Sequence, residues 1–177
     1  MDAIVEAALR KWPNVPDCYG WLALDARGDW YLRDDAAQAA GPFPQVKGSR
    51  IEHVGLREFI ERNYAADARG CWYFQNGPQR VYVELEAAPW VWRLSPGTPC
   101  ALHTHTGQPS TCKGAWLDEQ GRLFLQGEPG FGLVHSLDME LASDAVESGA
   151  WQPEEMDFAA MPARFAYVLK PRPAGAA

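Results

Sequence analysis

One short unit occurs three times in this sequence and constrains the fold more than any other feature. Each occurrence is an Asp-x-x-Gly turn followed by large apolar residues, at 25–33, 67–75 and 118–126. The aspartate accepts hydrogen bonds from backbone amides further along the turn, and the glycine takes the positive φ needed to enter the next strand. The pattern therefore predicts three tight turns, each leading into a β-strand.

Apolar segments also precede the first and third turns, at 21–24 and 115–117, which predicts that these two units are β-hairpins. The second turn follows a helix predicted at about 54–64 from its apolar face. The unequal spacing of the three units argues against a solenoid, which needs a fixed period. An old duplication inside one domain fits the pattern better.

The rest of the chain predicts an α+β fold, mostly antiparallel sheet and hairpins with two or three short helices. An N-terminal helix is expected to bury one face and to stop at Pro13. That face consists of Ile4, Val5, Ala8, Leu9 and Trp12. Strands are predicted at 80–85, 90–94 and 164–169, and a loop at 39–44. We expect one α+β domain over 1–170 and a flexible tail over 171–177.

Composition excludes several classes of function. The 177 residues carry a net charge of -7 without a basic stripe, so nucleic acid is not an expected partner. No apolar run is long enough to span a membrane, and the N-terminus lacks the pattern of a secretion signal. We therefore expect a cytoplasmic protein in which the four cysteines are reduced.

A series of turn and aromatic residues between about 20 and 135 follows a known pattern: Gly28, Trp30, Gly70, Trp72, Tyr73, Pro78, Val81, Val83 and the ending Leu85-Glu86-Ala87-Ala88-Pro89-Trp90. It resembles the bacterial family of domains of unknown function numbered 1285. Ala87 departs from the family pattern, which has an acidic residue there. The resemblance implies an α+β fold with repeated motifs and a suggested link to signalling, and it supplies no catalytic residues.

One stretch has the spacing of metal ligands: Cys100, His103, His105 and Cys112. On an extended strand the two histidines point to the same face, about 7 Å apart, and the cysteines could complete a tetrahedral zinc site. The order of the ligands matches no common zinc module. The alternative is a surface loop flanked by buried thiols, because cysteine is often buried without a metal. Zinc is thus a possible cofactor, and no other is predicted.

The same stretch allows a third interpretation, a small-molecule or anion contact made by Thr104, His105, Thr106 and Gly107. No catalytic set is recognisable, since the sequence has no nucleophile elbow, zinc-protease helix motif, phosphate-binding loop or dinucleotide fingerprint. The glycine-rich segment 127–132 is interpreted as a hairpin turn. Eight tryptophans are expected to form core or, if exposed together, a stacking platform for a planar ligand.

These observations favour an uncharacterised bacterial protein that acts as a non-catalytic small-molecule-binding or regulatory module. Two alternatives stay open: a zinc-binding protein using the cluster from Cys100 to Cys112, and a scaffold or oligomerisation domain. The ligand, a protein partner and the oligomeric state are not specified by the sequence.

Overall fold

The computed structural model describes residues 1–97, 101–173 and 175, and the chain folds into two compact units. Unit 1 comprises Met1–Asp25, Asp29–Glu86 and Tyr167–Ala177. Unit 2 comprises Ala26–Gly28 and Ala87–Ala166. The expected single domain over 1–170 with a flexible tail over 171–177 stays a prediction.

In unit 1 the part of the chain that the structure describes has three helices and six strands: α1 (Ala3–Lys11), β1 (Cys18–Leu24), β2 (Trp30–Leu32), α2 (Asp35–Ala40), β3 (Ser49–Arg50), α3 (Val54–Arg62), β4 (Tyr64–Ala66), β5 (Trp72–Asn76) and β6 (Gln79–Leu85). The strand order is β3-β2-β1-β6-β5-β4. All neighbours are antiparallel except β1 and β6, which are parallel at the centre of the sheet. The predicted hairpins are therefore joined by a parallel pair.

The helices of unit 1 bury less apolar surface than their sequences predict. In α1 only Val5 is buried, while Ile4 is 75% exposed and Trp12, directly after the helix, is 51% exposed. The N-terminus of α1 is instead fixed by a hydrogen bond, because the Asp2 N–H donates to Oδ1 of the buried Asn63 at 2.8 Å. In α3, Ile60 is the buried residue.

A buried ion pair fixes the segment after β2. Arg33 Nη1 donates to Glu84 Oε2 at 2.9 Å, and both side chains are less than a tenth exposed. Arg33 also donates to the carbonyl oxygens of Gly41 at 2.6 Å and Val46 at 3.3 Å. A buried guanidinium needs hydrogen-bond acceptors, and here they come from Glu84 in the sheet and from two carbonyls of the loop after α2. Arg33 therefore holds this loop against the sheet.

The described residues of unit 2 form seven strands and two helices: β7 (Trp90–Ser95), β8 (Ala101–Thr104), β9 (Pro109–Ser110), β10 (Gly114–Leu117), β11 (Leu123–Gln126), β12 (Phe131–Val134), α4 (Met139–Glu147), β13 (Glu154–Glu155) and α5 (Met161–Arg164). The strand order is β13-β10-β11-β12-β7-β8-β9. Two short 3₁₀ turns cover Ser136–Asp138 and Phe158–Ala160. Parallel pairs join β12 to β7 and β10 to β13.

The two sheets share one strand connectivity. In unit 1 a hairpin, β1–β2, precedes three antiparallel strands, β4, β5 and β6, and the last of these pairs in parallel with β1. In unit 2 the hairpin β7–β8 precedes β10, β11 and β12, and β12 pairs in parallel with β7. The second and third Asp-x-x-Gly turns occupy equivalent positions in this scheme. The first lies inside the β1–β2 hairpin.

The core of unit 2 is formed by one sheet face and α4. Trp92, Leu125 and Val134 pack with Ala142 of α4 and the buried Trp151. Arg93 anchors the start of α4, since its guanidinium bonds Asp138 at 2.6 and 3.1 Å and the Leu94 N–H donates to the same carboxylate at 3.0 Å. Burial raises the pKa of Asp138, but the Arg93 and Leu94 bonds outweigh it, and the net pKa lies below its ordinary value.

The α+β class with antiparallel hairpins is confirmed, and three local predictions are corrected. The predicted strand at 164–169 is wrong: α5 ends at Arg164, and Ala166 has φ 53°, which no strand accommodates. The loop predicted from residue 39 begins only at Gly41, because α2 continues to Ala40. The helices α2 and α5 raise the number of helices in the described part of the chain above the two or three expected.

Half of the six tryptophans that lie in the described strands supply core. Trp30, Trp90 and Trp92 are buried, as is Trp151 outside the strands. A stacking platform built from these four rings is therefore excluded. Among the residues that the structure describes, no helix has the length and apolarity needed to cross a bilayer.

Candidate functional site

The residues predicted to contact a ligand form a tight turn between β8 and β9. The Thr104 N–H donates to the Gln108 carbonyl at 2.9 Å, and the Gly107 N–H donates to the Thr104 carbonyl at 2.8 Å. The Thr104 hydroxyl accepts from the Gln108 N–H at 3.1 Å and lies 2.8 Å from the Thr106 hydroxyl. Gly107 has φ 83°. These contacts account for the buried Thr104 side chain by local structure alone.

This turn has the same geometry as the three Asp-x-x-Gly turns, with threonine in place of aspartate. In each aspartate turn the first residue donates its N–H to the fifth carbonyl, at 3.0, 2.9 and 3.1 Å for Asp25, Asp67 and Asp118. The carboxylate accepts the fifth N–H at 3.0, 3.0 and 2.8 Å respectively. Sequence reasoning missed this fourth turn, although Thr-x-x-Gly was the signal. The ligand contact predicted for Thr104, His105, Thr106 and Gly107 stays a prediction.

The two histidines of the predicted metal cluster have different surroundings. His103 lies in β8 between Arg93 of β7 and Pro109 of β9. His105 Nδ1 accepts a hydrogen bond from the Val91 N–H at 3.2 Å, and the His105 N–H donates to the Val91 carbonyl at 2.7 Å. Because Nδ1 accepts, the proton of the neutral ring lies on Nε2. Nδ1 is engaged in holding the turn to β7.

The cysteines of the predicted zinc site are only partly described. Cys112 Sγ lies 3.5 Å from the Gly114 carbonyl oxygen, and the side chain packs against the core of unit 2. Cys100 lies outside the described residues. Within residues 1–97, 101–173 and 175, no group of three or more His, Cys, Asp or Glu side chains could hold a metal ion. The site with Cys100, His103, His105 and Cys112 stays a prediction, which zinc analysis of protein purified without a metal-affinity step would test.

A cavity of about 250 Å³ opens beside Cys112. Its walls are two segments that are distant in sequence, 112–115 at the start of β10 and 149–152 after α4. Trp151 and Ala115 are buried and form its apolar side, whereas Lys113 and Gln152 are exposed. The cavity therefore combines an apolar wall with polar groups.

An exposed carboxylate fixes the loop that leads to this cavity. Glu128 accepts from the Thr111 N–H at 2.7 Å and from the Thr111 hydroxyl at 2.6 Å, and it also accepts from the Ser110 hydroxyl. The Ser110 hydroxyl, followed by the two Thr111 donors, holds the pKa of Glu128 far below its usual range. Lys113 completes the arrangement, with its ammonium 3.6 Å from the carboxylate. Sequence reasoning predicted only a turn here.

The fold defines a small α+β protein with two sheets, each of which contains antiparallel hairpins and at least one parallel pair, and the two sheets have the same strand connectivity. The sequence matches the family described as "Protein of unknown function (DUF2946)" over residues 1–172, and the chain belongs to that family. No curated protein matches it.

Two solved structures are similar to this chain. A DUF1285 family protein from Silicibacter pomeroyi DSS-3 has 14% sequence identity and a TM-score of 0.50, with 81% of this chain and 84% of that chain covered. A DUF1285 family protein from Shewanella baltica OS155 has 14% identity and a TM-score of 0.48, with coverages of 70% and 91%. The resemblance to this family that the sequence indicated is thus confirmed, at the level of the fold.

Proposed function

We propose that the chain is a non-catalytic binding module and that the cavity between 112–115 and 149–152 receives its small-molecule ligand. The observation that carries this proposal is the cavity itself, at about 250 Å³. Ligand sites typically have volumes of roughly 300 to 1,000 Å³, so the ligand is smaller than a drug-sized molecule. The buried Trp151 and Ala115 favour a ligand with an apolar face, and Lys113 and Gln152 favour one with a hydrogen-bonding edge.

The lining also supports binding over catalysis. Its eight described residues are Cys112, Lys113, Gly114, Ala115, Gly149, Ala150, Trp151 and Gln152. This described set holds neither a carboxylate nor an imidazole, so it offers no acid–base pair of the usual kind. The Cys112 thiol could act as a nucleophile only beside a base that lowers its pKa.

A thermal-shift screen with sugars, nucleotides and carboxylic acids tests the proposal on the parent and on Ala150→Phe, which places a large ring in the cavity lining. A ligand at about 100 times its Kd stabilises the folded state by roughly 2.7 kcal/mol, which raises the midpoint by about 5 to 10 °C for a chain of this size. We expect the shift to disappear in Ala150→Phe and to persist in the control Ala36→Phe, on the exposed side of α2. A shift of equal size in both variants would place the ligand elsewhere, and no shift with any class would overturn the proposal.

The oligomerisation alternative rests on exposed apolar side chains such as Ile4, at 75%, and Leu137, at 70%. It stays a prediction. A monomer at every concentration in light scattering would count against it.

A further inference from the structure

A cluster of three tyrosines and two arginines lies on one face of the sheet in unit 1, and we call it the tyrosine–arginine cluster: Tyr19, Arg69, Tyr73, Arg80 and Tyr82. Tyr73 and Tyr82 are cross-strand partners on β5 and β6, and Arg80 precedes Tyr82 by two residues, so the three share a face. Tyr19 stacks on Tyr82 with ring centroids 4.6 Å apart and an angle of 6°. The cluster is therefore a built surface with fixed rings.

Both arginines are held by these rings. The Arg80 guanidinium carbon lies 4.6 Å from the centroid of Tyr73, and that of Arg69 lies 5.7 Å from the centroid of Tyr82. Arg69 is positioned further by Arg172, whose carbonyl accepts from Nη1 at 3.3 Å. Stacking on a ring leaves the edge of a guanidinium, with its N–H donors, directed away from the ring. Arg69 gives its donors to Asp67 and to the Arg172 carbonyl, so it contributes positive charge while the Arg80 guanidinium supplies the donors for a ligand.

One carboxylate, that of Asp67, lies beside the tyrosine–arginine cluster and pairs with Arg69. The carboxylate of Asp67 accepts from the Tyr82 hydroxyl at 3.0 Å, from Arg69 at 3.1 Å and from two turn amides, those of Arg69 and Cys71. Burial raises the pKa of Asp67, but these bonds lower it below its ordinary value, so the carboxylate is ionised at neutral pH. Asp67 is therefore fully engaged by the turn, by Tyr82 and by Arg69.

Arg80 has a neutral partner instead, because its guanidinium hydrogen-bonds to the Tyr82 side chain. Among the described residues no carboxylate lies within 4 Å of its guanidinium, and the exposed Asp17 acts on it only through the longer-range charge interaction. Arg80 is half-buried, and its neighbour Tyr82 is 2% exposed. A cation backed by buried rings interacts with an anion more strongly than one surrounded by water.

We propose that the tyrosine–arginine cluster binds an oxyanion group, a phosphate or a carboxylate, of a small ligand. The planar Arg80 guanidinium offers two parallel donors that match either group, and Arg69 adds a second cation next to the same Tyr82 hydroxyl. This site is separate from the cavity of unit 2 in its residues and in its ligand chemistry. An overall charge of -7 repels anions at long range, so binding would depend on these local donors.

Calorimetric titration tests the inference with inorganic phosphate and with citrate, each against sodium chloride at equal ionic strength. We expect saturable binding of at least one of the two probes by the parent. We expect Arg80→Gln to weaken it by about tenfold or more, because the charge-assisted hydrogen bonds of the guanidinium are lost. The control is Arg10→Gln, an exposed arginine in the last turn of α1, which should bind as the parent does.

Arg80→Lys keeps the positive charge but loses the two parallel N–H donors of the guanidinium. It should therefore bind the probe more weakly than the parent and more tightly than Arg80→Gln. This variant keeps the test valid if Arg80→Gln fails to fold. Phosphate binding without citrate binding would identify a phosphate site, and the reverse a carboxylate site. Chloride competing as well as either probe, or equal losses in Arg10→Gln and Arg80→Gln, would overturn the inference. Neither result bears on ligand binding in the cavity, which Ala150→Phe tests.

Discussion

The third Asp-x-x-Gly turn allows the sharpest test of the turn chemistry. Asp118 has a fully buried side chain and accepts three hydrogen bonds. They come from the Gln120 N–H at 3.0 Å, the Arg122 N–H at 2.8 Å and Arg122 Nε at 2.6 Å. Replacing Asp118 by alanine removes both carboxylate oxygens, which accept all three bonds, and leaves the two donors of the half-buried Arg122 without these partners.

The expected magnitude follows from these contacts. A backbone bond contributes about 0.5 to 1.5 kcal/mol and a bond between charged groups about 1.5 to 3 kcal/mol. Asp118→Ala should therefore lower the free energy of unfolding by roughly 3 to 5 kcal/mol. Asp118→Asn keeps an oxygen that accepts the two amides and loses the charge, so we expect a loss of about 1 to 2 kcal/mol.

Urea unfolding measures both values, and Thr104→Val in the fourth turn is a matched control. Its hydroxyl accepts only one backbone amide, from Gln108 at 3.1 Å, and takes part in no ion pair. A loss of about 1 kcal/mol is expected there. The reasoning would be refuted if Asp118→Ala cost less than about 1 kcal/mol, or if Asp118→Asn cost as much as Asp118→Ala.

Three further predictions follow from unit 1 and unit 2. A Cβ on Gly132 would lie 2.7 Å from the Trp90 carbonyl, so Gly132→Ala should cost about 1 to 3 kcal/mol in a urea titration; an unchanged midpoint would contradict this. Glu84→Gln leaves the buried Arg33 without its counter-charge, and we expect a loss of roughly 3 kcal/mol, whereas a neutral result would show that the two carbonyl bonds to Arg33 suffice. The folded protein has a lower Asp138 pKa than the unfolded chain, whose Asp pKa is about 3.9. The ionised Asp138 therefore stabilises the folded protein fully above about pH 3.9, and this contribution is lost as pH falls through the folded pKa. Acid unfolding of Asp138→Asn should accordingly show a smaller loss of stability than that of the parent.

Local chemistry explains what the sequence predicted well. Each aspartate turn is specified within five residues by one acceptor and one glycine, so all three could be found without knowledge of the sheet. The fourth turn was missed because a threonine hydroxyl performs the role of the carboxylate at Thr104. The ligand contact predicted for 104–107 is a separate matter, which the turn geometry does not test.

Contacts between distant segments explain what the sequence could not predict. The alternation in β6 places Glu84 on one face of the sheet. The sequence does not show that Arg33, which is 51 residues away, pairs with Glu84 and covers it. The predicted strand at 164–169 failed because the alternation of Phe165 and Tyr167 arises in a turn through Ala166. The cavity also escaped prediction, since its walls come from 112–115 and 149–152, and neither segment contains a recognisable motif.

The return of the chain to unit 1 from Tyr167 onward affects how the protein is made. The Leu85 N–H donates to the Leu169 carbonyl at 2.8 Å, and the Val168 N–H donates to the Gly70 carbonyl at 3.1 Å. On the ribosome, synthesis of the roughly 80 intervening residues of unit 2 takes about 4 to 16 s at about 5 to 20 residues per second. The nascent unit 1 therefore waits, without its last segment, until unit 2 has been translated.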